Sequence, residues 1–135
     1  MDVLISIKPV YVEKICSGVK HFEYRKRVFT QDVERIYVYS SKPVQKIIGY
    51  FDYAGIISDT PEVIWHKTCN YSGIDFESYK IYFNGRDLAY ALIIKNFNEF
   101  IVGVDPVGVF EKFTPPQSYM YIREGLAYEK LRNMV

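Results

Sequence analysis

Apolar and polar positions alternate with a period of two in several short stretches of this chain, and with a helical period in a few others. Residues 3–7 are short, apolar and β-branched, and read as a strand that Lys8-Pro9 ends. Pro9 suits the first turn of a helix. Tyr11, Val12, Ile15 and Cys16 then share one helical face, with Glu13, Lys14 and Ser17 elsewhere. Gly18 falls where a left-handed helix stop is expected. Residues 21–27 alternate again, with His21, Glu23, Arg25 and Arg27 on one face and Phe22, Tyr24 and Lys26 on the other. Lys20 has the wrong parity for the charged face, so it joins Glu23 and Arg25 only from a turn after Gly18 or through a bulge.

Further along, residues 35–40 alternate cleanly and end at the turn Ser40-Ser41-Lys42-Pro43, and residues 44–53 form a longer strand up to Ala54-Gly55. Asp59-Thr60-Pro61-Glu62 is a helix start, with Thr60 or Asp59 as the cap and Pro61 in the first turn. Tyr71-Ser72-Gly73 breaks that helix. Residues 75–83 predict a second short helix with Phe76, Tyr79 and Phe83 on its apolar face, ending at Asn84-Gly85. Residues 88–97 predict an apolar, central strand. Asp105-Pro106 starts a turn or short helix. Thr114-Pro115-Pro116-Gln117-Ser118 is a rigid loop leading into a last strand at 119–122. Residues 123–135 predict a terminal helix docked through Leu126, Tyr128 and Leu131. Five or six strands with short helices between them predict an α+β, β-rich fold: a small mixed barrel with helices at its ends, one domain over residues 1–135.

Composition supports a packed β-rich core. Of 135 residues, 49% are apolar and 24% charged, which is globular rather than disordered. Aromatics reach 17%, with 13 Tyr and 9 Phe; these favour strands and also supply rings on which bases can stack. The net charge of +1 argues against tight nonspecific binding of long duplex DNA. The charge is uneven, however. Residues 1–50 hold nine Lys/Arg against five Asp/Glu, while residues 51–100 hold four against seven. The basic excess suits a local phosphate-bearing ligand. Cys16 and Cys69 form no CxxC pair, and His66-x-x-Cys69 lacks the further ligands zinc needs. The expectation is therefore no metal and no cofactor. No apolar run approaches the ~18 residues of a membrane span, and the N-terminus lacks signal-peptide features, so a cytoplasmic protein is expected.

The chemistry concentrates in Gly18-Val19-Lys20-His21-Phe22-Glu23-Tyr24-Arg25, with spacing G-x-K-x-x-E-x-R. Lys20 is a cation suited to a phosphate or a developing oxyanion. Arg25 is a planar fork suited to phosphate, carboxylate or a base edge. Glu23 can accept from an amino group or orient either cation. The competing structural reading is a plain Glu23–Arg25 ion pair along a strand.

This octet, together with Ile5-Ser6-Ile7-Lys8-Pro9 and Ile15-Cys16-Ser17 before it, resembles the amino-terminal signature of the ASCH family, relatives of the PUA RNA-binding barrel. Tyr39-Ser40-Ser41, Pro43-Val44, Ile47-Ile48-Gly49, Pro115-Pro116-Gln117-Ser118 and Tyr121-Ile122 are similar to recurring stretches of its members, so the resemblance spans most of residues 3–122. It implies a PUA-like β-barrel with a ligand cleft beside the first helix. Lys20, Glu23 and Arg25 occupy the motif positions, Lys8 lies close to them, and Ser40, Ser41, Gln117 and Ser118 rim the same cleft. The implied partner is RNA, a nucleotide or a modified nucleoside. Family members that deacylate N4-acylcytidine carry Thr where this chain has Glu23. That departure favours binding over the same chemistry. The alternative is a small hydrolase, an N4-acylcytidine amidohydrolase or a ribonuclease, with Lys20 and Glu23 as catalytic residues. A regulatory module acting through a protein partner is the third reading.

Overall fold

The computed structural model describes residues 1–135. The chain runs β1 (Asp2–Ile7), α1 (Pro9–Cys16), β2 (Phe22–Arg25), β3 (Arg35–Ser40), β4 (Lys46–Asp52), β5 (Ile56–Asp59), α2 (Pro61–Thr68), α3 (Phe76–Tyr82), β6 (Ala89–Ile93), β7 (Asn98–Val104), β8 (Tyr119–Ile122) and α4 (Leu126–Arg132). A five-stranded sheet has the order β7-β4-β3-β1-β8, and a three-stranded sheet the order β2-β6-β5. The fold is α+β. Its strands form two sheets rather than one closed ladder, and there are eight of them, more than the five or six expected.

Two of the extra strands come from stretches with weak patterns. β5 is only four residues long, and β7 alternates poorly because Ile101 and Val102 are both exposed. The long apolar run expected to be one strand ends early. Asn96 turns at φ 53°, a left-handed conformation that Asn tolerates, and sends the chain from β6 into β7 on the other sheet. As expected, β6 is central in its sheet, flanked by β2 and β5.

β1 pairs with β3 in parallel, Val3 opposite Ile36 and Ile7 opposite Ser40, and with β8 antiparallel. A parallel pair needs a crossover, and α1, β2 and the loop to Glu34 supply it. Val12 and Ile15 of α1 pack into a cluster with Val3, Ile5, Ile36, Val38 and Phe51, to which Leu92 of the smaller sheet and Ile94 just past β6 also belong. Each such aliphatic side chain contributes about 1.5–3 kcal/mol when fully buried. A second cluster, with Leu4, Tyr37, Tyr39 and Ile47, docks α4 through fully buried Leu131. Leu126, expected to dock as well, is 72% exposed because the helix begins there and turns it outward. A third cluster packs Tyr24 against Ile64, Tyr79 and Phe83 of the α2–α3 segment. Thr60 caps α2 by accepting from the Val63 N–H, and Asp75 caps α3 by accepting from Ser78.

Candidate functional site

α1 stops as its sequence dictates. Gly18 takes φ 84°, and the N–H groups of Val19 and Lys20 both return to the Lys14 carbonyl. Lys20 therefore emerges from the turn and not from β2, which resolves its parity. His21 closes the turn. Its Nε2 lies 2.7 Å from the Gly18 carbonyl, and its ring stacks on Tyr71 at 4.4 Å and 1°. The same pairing sets the 71–74 loop beside Lys20, since the His21 N–H donates to the Tyr71 carbonyl.

Lys20 is only 2% exposed. Its Nζ donates to the Ser72 carbonyl at 2.7 Å and sits 3.7 Å from Glu23 Oε1. The ammonium also lies 5.0 Å from the Tyr24 ring centre and 5.4 Å from that of Tyr11, within cation–π range. Burial lowers its pKa, Lys14 and Arg25 push the same way, and Glu23 opposes them. Gly73 makes room for the lysine stem, and Lys14 Nζ donates to the Gly73 carbonyl at 3.2 Å.

Glu23 presents its other oxygen to Arg25, Oε2 to Nη2 at 2.8 Å. Arg25 reaches across from the smaller sheet to the larger one. It donates to the Ser6 carbonyl on β1 at 2.8 Å and to the Ser118 carbonyl and Oγ beside β8, each at 3.3 Å. Its Nε is buried without an acceptor.

These groups lie in a cleft of about 660 Å³ between α1, α3 and the loop before β8. Of the residues singled out in the sequence, Lys8, Lys20, Glu23, Arg25, Ser41 and Gln117 line it. Ser118 stands behind Arg25 as its hydrogen-bond partner. Ser40 is buried at 1% exposure and borders a separate depression with Cys16 and Glu99. The sequence reading missed the cleft's other wall: Tyr11, Tyr24, Ile74, Ser78, Ile81 and Tyr82. The clue for Tyr11 and Tyr24 was proximity to the motif, masked by their apparent role as core. Nothing local in the sequence places Ile81 or Tyr82 there, because α3 arrives from some sixty residues downstream.

The wall is chemically quiet. Burial raises the Tyr11 and Tyr82 phenols, and pushes Tyr24 up to about 12 although it bonds Thr68 Oγ1 at 2.7 Å. All three stay neutral at physiological pH. The charged groups of the cleft are Lys8 and the Lys20–Glu23–Arg25 trio.

The two-sheet α+β frame thus carries a cleft lined by cations and a carboxylate beside its first helix. No protein-family model matches the chain. It is 25% identical over 126 residues to the ASCH domain-containing ribonuclease of Zymomonas mobilis, a match covering 91% of this chain and 85% of that protein. The crystal structure of ASCH from Zymomonas mobilis superposes with a TM-score of 0.89 at 22% identity, covering 99% of this chain and 96% of that one. A protein of Ureaplasma parvum named large ribosomal subunit protein uL22 is 25% identical over 122 residues, which are 90% of this chain and 39% of that protein. Over nearly its whole length the chain is thus similar to ASCH domain proteins in sequence and in fold.

Proposed function

We propose that this protein cleaves single-stranded RNA in the Lys20–Glu23–Arg25 cleft. The observation that carries the proposal is Lys20, an ammonium buried at the cleft floor beside a carboxylate that Arg25 holds in place. The ribonuclease named among the relatives supports the same direction, and moves the balance from binding alone, which the sequence favoured, to phosphodiester cleavage.

The chemistry needs a proton acceptor, a proton donor and positive charge at the phosphate. Glu23 takes the proton of the 2′-hydroxyl. The 2′-oxygen attacks phosphorus, the bond from phosphorus to the 5′-oxygen breaks, and a 2′,3′-cyclic phosphate and a 5′-hydroxyl result. Lys20 gives a proton to the departing 5′-oxygen. Burial makes it a stronger acid than an exposed lysine, which suits that role. Lys20 and Arg25 together stabilise charge on the non-bridging oxygens. Glu23 in place of threonine removes the hydroxyl nucleophile that this position would supply for amide hydrolysis. In RNA cleavage the substrate brings its own nucleophile. The frame is read as a PUA-like barrel opened between its two sheets, with residues 1–135 as one domain. The core cluster shared by both sheets supports this.

The test uses end-labelled single-stranded RNA, the same sequence as DNA and as 2′-O-methyl RNA, and N4-acetylcytidine in parallel. RNA is cut to cyclic-phosphate ends, DNA and methylated RNA stay intact, and Lys20→Ala cuts at least about 100-fold more slowly. Intact RNA, or equal cutting by a folded Lys20→Ala variant, overturns the proposal. Deacylation of N4-acetylcytidine without RNA cleavage reassigns the cleft to amide hydrolysis.

A further inference from the structure

Positive charge that the trio does not use lies next to one wall of the cleft. Lys26, the residue after β2, places its Nζ 4.7 Å from the centre of the Tyr82 ring. Tyr82 is the last residue of α3 and lines the cleft. Arg86, four residues on, is exposed, and its charge weakly opposes the rise that burial gives the Tyr82 phenol. No carboxylate lies within 4.0 Å of either cation, whereas Arg35, Lys46 and Arg132 each have one. Beside Tyr82, Ile81 is 75% exposed. Lys26, Tyr82 and Ile81 thus form one edge beside Arg25, with the exposed Arg86 just past the end of α3.

We propose that Tyr82, Lys26 and Arg86 form a subsite for the nucleotide next to the scissile phosphate, the base resting on Tyr82 and Ile81 and the flanking phosphate held by Lys26 and Arg86. The proposal rests on the RNA reading above and extends it to the length of substrate recognised. Aromatic platforms with a cationic border are the general means of holding single strands without reading their sequence. Each phosphate neutralised also releases counterions, so the contact weakens with salt. Lys8 stands on the cleft wall formed by the start of α1 and is likewise without a carboxylate partner, so a strand crossing the cleft meets positive charge at entry, centre and exit. The edge favours an oligonucleotide over a mononucleotide.

The experiment measures binding of fluorescein-labelled 2′-O-methyl RNA, which cannot be cut, as a dinucleotide, a tetranucleotide and an octanucleotide. In the wild type, affinity rises about tenfold from the dinucleotide to the tetranucleotide. In Lys26→Ala/Arg86→Ala, both changes on the surface, that gain falls below about twofold and the salt dependence flattens. Lys130→Ala on α4 serves as the charge control and keeps the gain. The same length dependence in the double variant overturns the subsite while leaving the trio's reading intact. An absence of length dependence in the wild type does the same. No binding of RNA at any length overturns both.

Discussion

Gly73 and Lys20 occupy space that only one of them can fill. A β-carbon on Gly73 would lie 2.6, 2.7 and 2.9 Å from the first three stem carbons of Lys20. Gly73 also sits at φ 66°, where a side chain is strained. The absence of a side chain at one position thus sets the path of the lysine whose ammonium reaches Glu23.

Gly73→Ala is expected to cost about 1–2 kcal/mol in backbone strain, and more if the lysine cannot move. Displacement of Lys20 lowers cleavage by at least about tenfold. Thermal unfolding and initial cleavage rates, measured on the same preparation, check both.

Lys20→Met is expected to abolish cleavage and to raise stability at neutral pH by about 1 kcal/mol, because it removes a buried charge while Glu23 keeps Arg25. The pH dependence follows from the lowered proton affinity of the folded lysine. Between the folded pKa and the ordinary 10.5, the unfolded chain holds the proton that the folded chain has released. Wild-type stability therefore rises with pH across that window, and the advantage of Lys20→Met shrinks as pH climbs. Parallel denaturant titrations from neutral pH to above pH 10 measure it. An advantage that does not change with pH contradicts this account.

Arg25→Lys is expected to behave as a loss of function rather than a conservative change. A lysine cannot contact Glu23, Ser6 and Ser118 at once, as the guanidinium does. The expected cost is about 2–3 kcal/mol, reflecting lost charge-assisted hydrogen bonds. Circular dichroism melting and RNA cleavage should both fall.

Cys16 is expected to resist alkylation. Burial and the neighbouring Glu99 push its thiol from 9.0 up to about 11. The thiolate fraction at mildly alkaline pH is then about 100-fold below that of an unperturbed thiol. Peptide-resolved iodoacetamide labelling should show this, and Glu99→Gln should speed the reaction.

Asp2→Asn is expected to loosen the C-terminal helix. Asp2 is fully buried and receives two hydrogen bonds from Arg132, at 2.8 and 2.7 Å, and one from the Arg35 N–H. Breaking such a pair costs about 3 kcal/mol. Because Arg132 is partly exposed and also lies 3.6 Å from Glu34, the loss stays at the lower end. Faster hydrogen exchange in Leu126–Arg132 relative to β1 is the readout.

The strand-helix-glycine opening was legible in the sequence because each step has a local cause: Pro9 starts α1, Gly18 ends it, and alternation sets β2. The Asp59-Thr60-Pro61 start of α2 was legible for the same reason, with Thr60 as the cap of the two candidates. The partition into two sheets was not legible. Which edges pair depends on contacts between distant residues, such as Tyr24 with Ala91 and Ser6 with Tyr39. The charged half of the cleft could be read because its residues lie within one octet. The aromatic half could not, because Tyr82 becomes its neighbour only after the chain has passed through α2 and α3. Leu126 shows the limit of apolar character as a guide, since a leucine at a helix start can face water while Leu131, one turn and a half later, carries the docking.

Arg25 belongs to the small sheet, yet three of its four hydrogen-bond partners are atoms of Ser6 on the large one and of Ser118 just before β8. It is a rivet between the sheets as well as a cation lining the cleft. In the proposed reaction, a substrate phosphate that drew its guanidinium away from those carbonyls would also loosen the joint between the sheets, so that one side chain would govern both the grip on the substrate and the width of the groove that admits it.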